Sequence, residues 1–362
     1  LFLFLYLKAF GGTGGIEKFN RAMMKALENR EYQLKEKILI YSAYDNFPDP
    51  QYYSGLHYKG FSIRKVQFTL ESILKGLRAE TLLISHINLA FIAIVLQILN
   101  PRQKQILITH GIEVWGELSW LKKKLLHSKI NILSVSNYTR NILVSKHQIP
   151  AEKISIFRNT LDPFFNPEIN PNSILSLRTT YKIPPDAKIL MTIARLKNYE
   201  KAKGYDKVIR IIGELIQKNI NVYYILAGKY SEDEHARILQ LATECKVENR
   251  IILPGFIQDT DMPAHYKLAD LFIMPSTKEG FGIVFIESMA CGTPVVAGNK
   301  DGSPDAVLHE SLGSLVDPDD QEQILSAALY WLQKGKAEVA NSSHLVWDSF
   351  GFEKFKQHVN QL

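Results

Sequence analysis

Two carboxylates eight positions apart, Glu279 and Glu287, flank Gly280-Phe281-Gly282-Ile283 and carry the densest chemistry of this 362-residue chain. Glu279 opens a glycine loop, and Glu287 falls in the apolar run that follows, which Gly292 stops before Pro294 leads into Val295, Val296 and Ala297. Upstream, residues 269–275 read as a buried strand bounded by proline. The order strand, glycine loop, helix, glycine stop, strand sets Glu279 at the carboxyl end of a parallel strand, where open α/β sheets bind ligands. Free N–H groups at the helix start favour an anion such as a diphosphate. At about 1.5 Å per helical residue, Glu287 lies roughly a turn and a half deeper. The two acids can therefore hold different parts of one extended ligand, each accepting from a pair of hydroxyls. The plain alternative is a helix-start acid and a solvated helix acid. Glu287 stands among Phe285, Ile286 and Met289, however, and a buried acid needs a partner.

Cations that could face a diphosphate lie earlier. Arg195 ends a strand and Lys203-Gly204 precedes a helix, so an Arg fork and a Lys point charge stand at strand-end height. Gly228 closes the next strand. In the first half, Gly11, Gly12, Thr13, Gly14 and Gly15 follow the first strand and allow backbone to approach a phosphate. The dinucleotide fingerprint fails there, because its third glycine is replaced by Glu17, which disfavours a nicotinamide dehydrogenase.

Elements that would position these residues alternate along the chain. Residues 1–7, 37–43, 81–85, 105–109 and 131–135 read as strands, with helices over 16–29 and 136–147. Residues 161–173, with three prolines and three asparagines, read as a linker. Beyond it come a strand over 188–194, a helix over 205–218, a strand over 222–227, a helix over 232–245, a strand over 250–253 and the 271–297 unit. The alternation predicts an α/β chain of two Rossmann-like domains, 1–165 and 174–345, facing each other across a cleft, and a helix over 346–362 crossing back onto the first.

Composition is that of a globular protein, 46% apolar and 22% charged. The first seven residues are too few for a signal peptide core or a membrane span and read as a central strand. Cys245 and Cys291 have no metal spacing and suit a reducing cytoplasm. Residues 1–171 hold 22 Lys and Arg against 13 Asp and Glu, a balance of +9, while the rest (21 against 24) comes to −3. A basic first half suggests an anionic membrane surface, its sharpest element being Trp120 to Leu126 with Lys122, Lys123 and Lys124; the alternative is an exposed helix with a solvated face. Aromatic-basic stacking patterns are lacking, so nucleic acid is not expected.

Together these residues resemble glycosyltransferase family 4, retaining enzymes of the GT-B fold, over essentially the whole chain. The acid pair around Gly-Phe-Gly is the specific motif. Gly11 to Phe19, His110-Gly111, Ser134 to Ser136, Asn159 with Asp162, and Gly302 to Val307 support it. The resemblance implies that Arg195 and Lys203 neutralise the donor diphosphate and that Glu279 hydrogen-bonds the donor sugar beside the backbone of Gly280, Phe281, Gly282 and Ile283. It further implies that Glu287 holds the ribose and that backbone near Phe256 and Ile257 meets the base. Gly12, Gly14 and Gly228 would line the donor site, and His110 would lie by the sugar carbon under attack. The chain departs from the family in the eight-residue Arg195–Lys203 spacing, with Lys201 as competitor, in Lys229 after Gly228, and in Asp305 where a Glu is usual. Asp259/Asp261 and Asp317/Asp319 precede helices and are expected to cap them, so no metal or other cofactor is expected. The implied activity is sugar transfer from a UDP-sugar or GDP-mannose to a saccharide or lipid-linked acceptor, in cell-surface polysaccharide or glycolipid synthesis. A non-hydrolysing nucleotide-sugar epimerase and a catalytically inactive nucleotide-sugar-binding module are the alternatives.

Overall fold

The structure, a computed structural model, describes residues 1–362 apart from Thr13 and the side chains of Asn198 and Tyr199. The reading of Thr13 as part of the first glycine loop lies outside the described residues. The chain divides into two compact units, residues 1–164 with 350–362, and residues 165–349.

The first unit holds a seven-stranded sheet: β1 (Phe2–Tyr6), β2 (Ile38–Ser42), β3 (Tyr58–Gly60), β4 (Thr81–Ile84), β5 (Lys104–Thr109), β6 (Asn131–Ser134) and β7 (Ile154–Ile156). Their order is β3-β2-β1-β4-β5-β6-β7, every pairing parallel. The second unit holds β8 (Lys188–Ile193), β9 (Val222–Ala227), β10 (Ile251–Ile252), β11 (Leu271–Met274), β12 (Val295–Gly298) and β13 (Gly313–Val316), in the order β10-β9-β8-β11-β12-β13, also parallel. All five β1 residues and all four β11 residues are buried, as expected of parallel strands with helices on both faces. In each sheet the strand order reverses beside the first strand, between β1 and β4 and between β8 and β11. These are the switch points at which open α/β sheets take ligands.

Several elements differ from the sequence reading. The segment expected as one helix over 346–362 is two, His344–Phe350 and Phe352–Asn360, broken at Gly351, and the chain rejoins the first unit at Phe350. There Phe355 packs edge-on between Phe19 and Phe157, and the Arg30 guanidinium donates to the Val359 carbonyl at 2.9 Å. The linker ends early, since Pro171 starts the helix Pro171–Thr180 with Asn170 as its cap. Strands β3, β7 and β13, of three or four residues each, are additions to the sequence reading. Among the described residues no helix is long and apolar enough to cross a membrane.

Candidate active site

The densest site lies at the β8/β11 switch point. Lys203 ends the 3₁₀ turn Asn198–Lys203, and Gly204, with φ +81°, turns the chain into the helix Tyr205–Gln217. A side chain on Gly204 would collide with the Pro275 carbonyl after β11, so only glycine lets the two loops meet. The Thr277 N–H donates to the Ala202 carbonyl at 2.9 Å and ties them together. Across this junction the Lys203 ammonium pairs directly with the Glu279 carboxylate, both side chains mostly buried. Lys201, the competing cation, is exposed, and its charge acts on Glu234 instead.

Glu279 is held by both of its backbone groups. Its N–H donates to Asp301 Oδ2 at 2.7 Å, and its carbonyl accepts the Gly302 N–H at 2.7 Å. Asp301 also accepts the Ser303 N–H at 2.9 Å. The Asp301 side chain lies after β12, 1% exposed, and burial, together with the Glu279 charge, pushes its carboxyl up to about 6 despite these donors. A side chain on Gly302 would strike the Gly280 carbonyl, so the loops after β11 and β12 are in close backbone contact. Gly282, with φ +91°, then starts the helix Ile283–Ala290, whose first N–H groups have no partner within the helix.

Other expected residues take different places. Arg195 follows β8, is exposed, and pairs with Glu200 Oε1 at 2.6 Å rather than with the Lys203–Glu279 group. Glu287 is 1% exposed and accepts the Tyr266 hydroxyl at 2.8 Å; the partner its burial demanded is a protein group. Burial and the Glu287 charge raise the Tyr266 phenol well above its ordinary range, so this hydroxyl keeps its proton. Gly228, with φ +142°, abuts the Ala194 carbonyl and donates to Gly255 at 2.8 Å, drawing the ends of β8 and β9 against the loop that carries exposed Phe256 and buried Ile257.

In the first unit His110 follows β5. Its Nε2 donates to the Ser85 carbonyl at 2.9 Å, Phe19 meets the ring edge-on, and its N–H donates to Glu113 at 2.5 Å. Burial, with His86 adding like charge, pushes the imidazole down to about 3, so His110 is neutral with Nε2 protonated. Gly12 and Gly14 embrace the Glu17 carboxylate, whose oxygens stand where their side chains would be. Gly12 and Gly14, expected to line the donor site, thus have the Glu17 side chain against them.

The lysine triplet does not present one basic face. Lys122 is half-buried with its charge acting on His86 and Glu113, Lys123 pairs with Glu117 at 3.4 Å, and Lys124 lies over the Trp120 ring. The Asp-x-Asp pairs also differ from expectation. Asp320, not Asp317 or Asp319, caps the helix Gln321–Lys334, while Lys300 bridges Asp317 and Asp319 at 2.7 and 2.9 Å. Asp261 precedes the helix Met262–Leu268 without a side-chain cap bond. Among the described residues no group of three or more His, Cys, Asp or Glu could hold a metal. Asp301, Tyr266 and Glu200 escaped the sequence reading; Asp301 lies 22 positions from the amide that it holds, and no local pattern marks it.

Two parallel α/β sheets with a basic-acidic pair and tight glycine turns at a switch point define the class, an α/β chain of GT-B architecture. Residues 175–342, a little under half of the chain, match the family "Glycosyl transferases group 1". Among curated relatives, an uncharacterized glycosyltransferase, MJ1607, of Methanocaldococcus jannaschii is 27% identical over 199 residues, 55% of this chain and 50% of that protein. The GDP-mannose-dependent α-(1-6)-phosphatidylinositol monomannoside mannosyltransferase of Mycobacterium tuberculosis is 29% identical over 231 residues, 60% of this chain and 58% of that protein. The aligned segments thus span about half to three fifths of these relatives' length. Anabaena Alr3699/HepE, solved with UDP and glucose, superposes with a TM-score of 0.79 over 99% of this chain and 98% of its own at 19% identity, which establishes the shared fold.

Proposed function

We propose that this chain is a retaining hexosyltransferase that moves a sugar from a nucleotide-diphosphate sugar to a saccharide or lipid-linked acceptor in cell-surface polysaccharide or glycolipid synthesis. The Lys203–Glu279 pair at the β8/β11 switch point carries the proposal. An ammonium prepaired with a carboxylate supplies charge for a leaving diphosphate and an acceptor for a sugar hydroxyl in one place. Lys203 neutralises the diphosphate, joined by Arg195 once it leaves Glu200. Glu279 takes the sugar hydroxyls, with the amides of Gly280, Phe281, Gly282 and Ile283 alongside. Fixed cations and helix-start N–H groups stabilise charge that develops in the transition state without reorganising. Glu287 reaches the ribose after giving up Tyr266, and Gly228, Phe256 and Ile257 border the base. Neutral His110 offers its Nδ1 side to the reacting sugar. The acceptor attacks from the leaving group's face, which retains the anomeric configuration, and no metal takes part. A relative named for GDP-mannose and a fold neighbour solved with UDP and glucose support both nucleotides as candidates. Two free cysteines support a cytoplasmic site of action.

The test is calorimetric titration with UDP and GDP, then turnover of the matching nucleotide sugar with a lipid-linked or saccharide acceptor, the product's anomeric configuration read by NMR. Glu279→Ala should lower turnover roughly 100-fold or more and leave nucleotide affinity within a few fold. Epimer formed from donor alone, without acceptor, would instead make the chain an epimerase. Nucleotide binding by the wild type without any turnover would make it a binding module.

A further inference from the structure

The ends of β8 and β9 carry two cations, of which the donor site described above uses one. The register of these strands pairs Ile193 with Ala227, and it continues past a glycine kink to pair Leu196 with Tyr230. The Leu196 N–H donates to the Lys229 carbonyl at 3.0 Å and the Leu196 carbonyl accepts the Ser231 N–H at 3.2 Å, so Arg195 and Lys229 stand level. Level residues of a parallel pair point to the same face of strands about 4.8 Å apart. Leu196, one position on, is fully buried, so alternation turns Arg195 and Lys229 outward, and both are exposed. Gly228 permits this approach, since a side chain there would collide with the Ala194 carbonyl.

Cations set side by side on neighbouring strands repel each other, and these two are compensated unequally. Arg195 has Glu200 at 2.6 Å, which engages one arm of its fork. The Lys229 ammonium has neither a hydrogen bond nor an ion pair among the described residues. An anion lying over both would remove the repulsion, meeting a fork from Arg195 and a point charge from Lys229. Lys203 stands on the other side of β8, next to β11, where it pairs with Glu279. Three cations thus line the carboxyl end of β8: Lys203 toward β11, Arg195 on the continuation of the strand itself, and Lys229 toward β9. A diphosphate has two phosphates to place, and Glu279 fixes its direction, because the sugar-bearing phosphate belongs beside the group that takes the sugar.

We propose that Lys229 is a donor-binding residue which, with Arg195, holds the nucleoside-side phosphate of the donor while Lys203 holds the sugar-side phosphate. The assignment rests on the proposed nucleotide-sugar donor and adds to it a residue outside both the acid pair and the Gly-Phe-Gly loop. It also gives the departure at position 229 a chemical purpose. A glycine there would offer only backbone, whereas lysine offers a full positive charge on a flexible stem.

The experiment is calorimetric titration of the full chain with UDP, UMP and, by competition, uridine, and with the matching guanosine series. The monophosphate keeps only the nucleoside-side phosphate, so it separates Lys229 from Lys203. Lys229→Ala should weaken the diphosphate and the monophosphate each about tenfold, with the nucleoside within about twofold and the circular-dichroism melt unchanged. Lys229→Arg should restore most of the loss. Lys201→Ala, which removes an exposed charge that acts on Glu234, should bind as the wild type does. Wild-type affinity of Lys229→Ala for both nucleotides would overturn the proposal. So would a loss shared by the nucleoside, a loss confined to the diphosphate, or an equal loss in Lys201→Ala. Failure of the wild type to bind either series would bring down the donor assignment itself, and this inference with it.

Discussion

Replacing Asp301 by Ala removes the acceptor of two backbone amides, those of Glu279 at 2.7 Å and Ser303 at 2.9 Å, in a pocket 1% exposed. Each buried donor left without a partner costs about 1–3 kcal/mol, so the pair should cost about 2–6 kcal/mol of unfolding free energy. Water entering the space left by the carboxylate brings the loss toward the lower figure. The wild-type carboxyl also has a charge history that the variant lacks. Its folded pKa, about 6, stands above the ordinary 3.8, so between those values the folded chain holds a proton that the unfolded chain has released. Stability from this group is therefore fully present below about pH 4 and is lost as pH rises through about 6, an amount on the order of 3 kcal/mol. Asp301→Asn keeps the size and one acceptor but cannot titrate, so the wild-type minus Asn difference should shrink by that order from pH 4 to pH 7. The assay is urea unfolding of the full chain at several pH values, following the transition of the unit that contains Asp301. A loss under about 0.5 kcal/mol for Asp301→Ala at pH 7, or a wild-type minus Asn difference flat with pH, would refute the assignment of this carboxylate as the clamp on Glu279.

Gly302→Ala forces its new methyl against the Gly280 carbonyl, and because the obstacle is backbone no rotamer relieves it. Expected is a loss of about 1–3 kcal/mol with turnover falling more than nucleotide affinity, checked by melting curves and calorimetry. Tyr266→Phe withdraws the hydroxyl held by Glu287 and should cost about 1.5–3 kcal/mol in urea unfolding; a variant as stable as the wild type would mean the pair contributes nothing. His110 should show imidazole NMR shifts of the neutral Nε2–H form throughout pH 5–8, since its folded pKa is about 3. Its share of stability consequently falls as pH drops from about 6.5 toward 3, and titration near neutrality would contradict the burial argument.

The sequence announced the second sheet and its acid pair well because the signals were local: Pro275 and Gly292 punctuate the unit, and Gly282 has the left-handed φ that a loop entering a helix there requires. Burial of Glu287 was equally legible from Phe285, Ile286 and Met289. Its partner was not, because Tyr266 belongs to a neighbouring helix and nothing in the 287 region names it. The pairing of Lys203 with Glu279 spans 76 positions and depends on the turn at Gly204, a matter of tertiary approach rather than pattern. The partners that Arg195 and the Lys122–Lys124 run take in the structure were not legible, for one reason. Charge type was read correctly, but direction is set by nearby acids and rings such as Glu200, Glu117 and Trp120.

The break at Gly351 bears on biosynthesis. Phe355, wedged between Phe19 and Phe157, and Val359, whose carbonyl Arg30 engages, are translated after the second unit, yet they complete the unit whose sheet is translated before it. The amino-terminal sheet must wait, with Phe19 uncovered, until the whole second unit has been translated. A premature stop just after Ser349 would therefore injure the half of the molecule farthest from it in sequence.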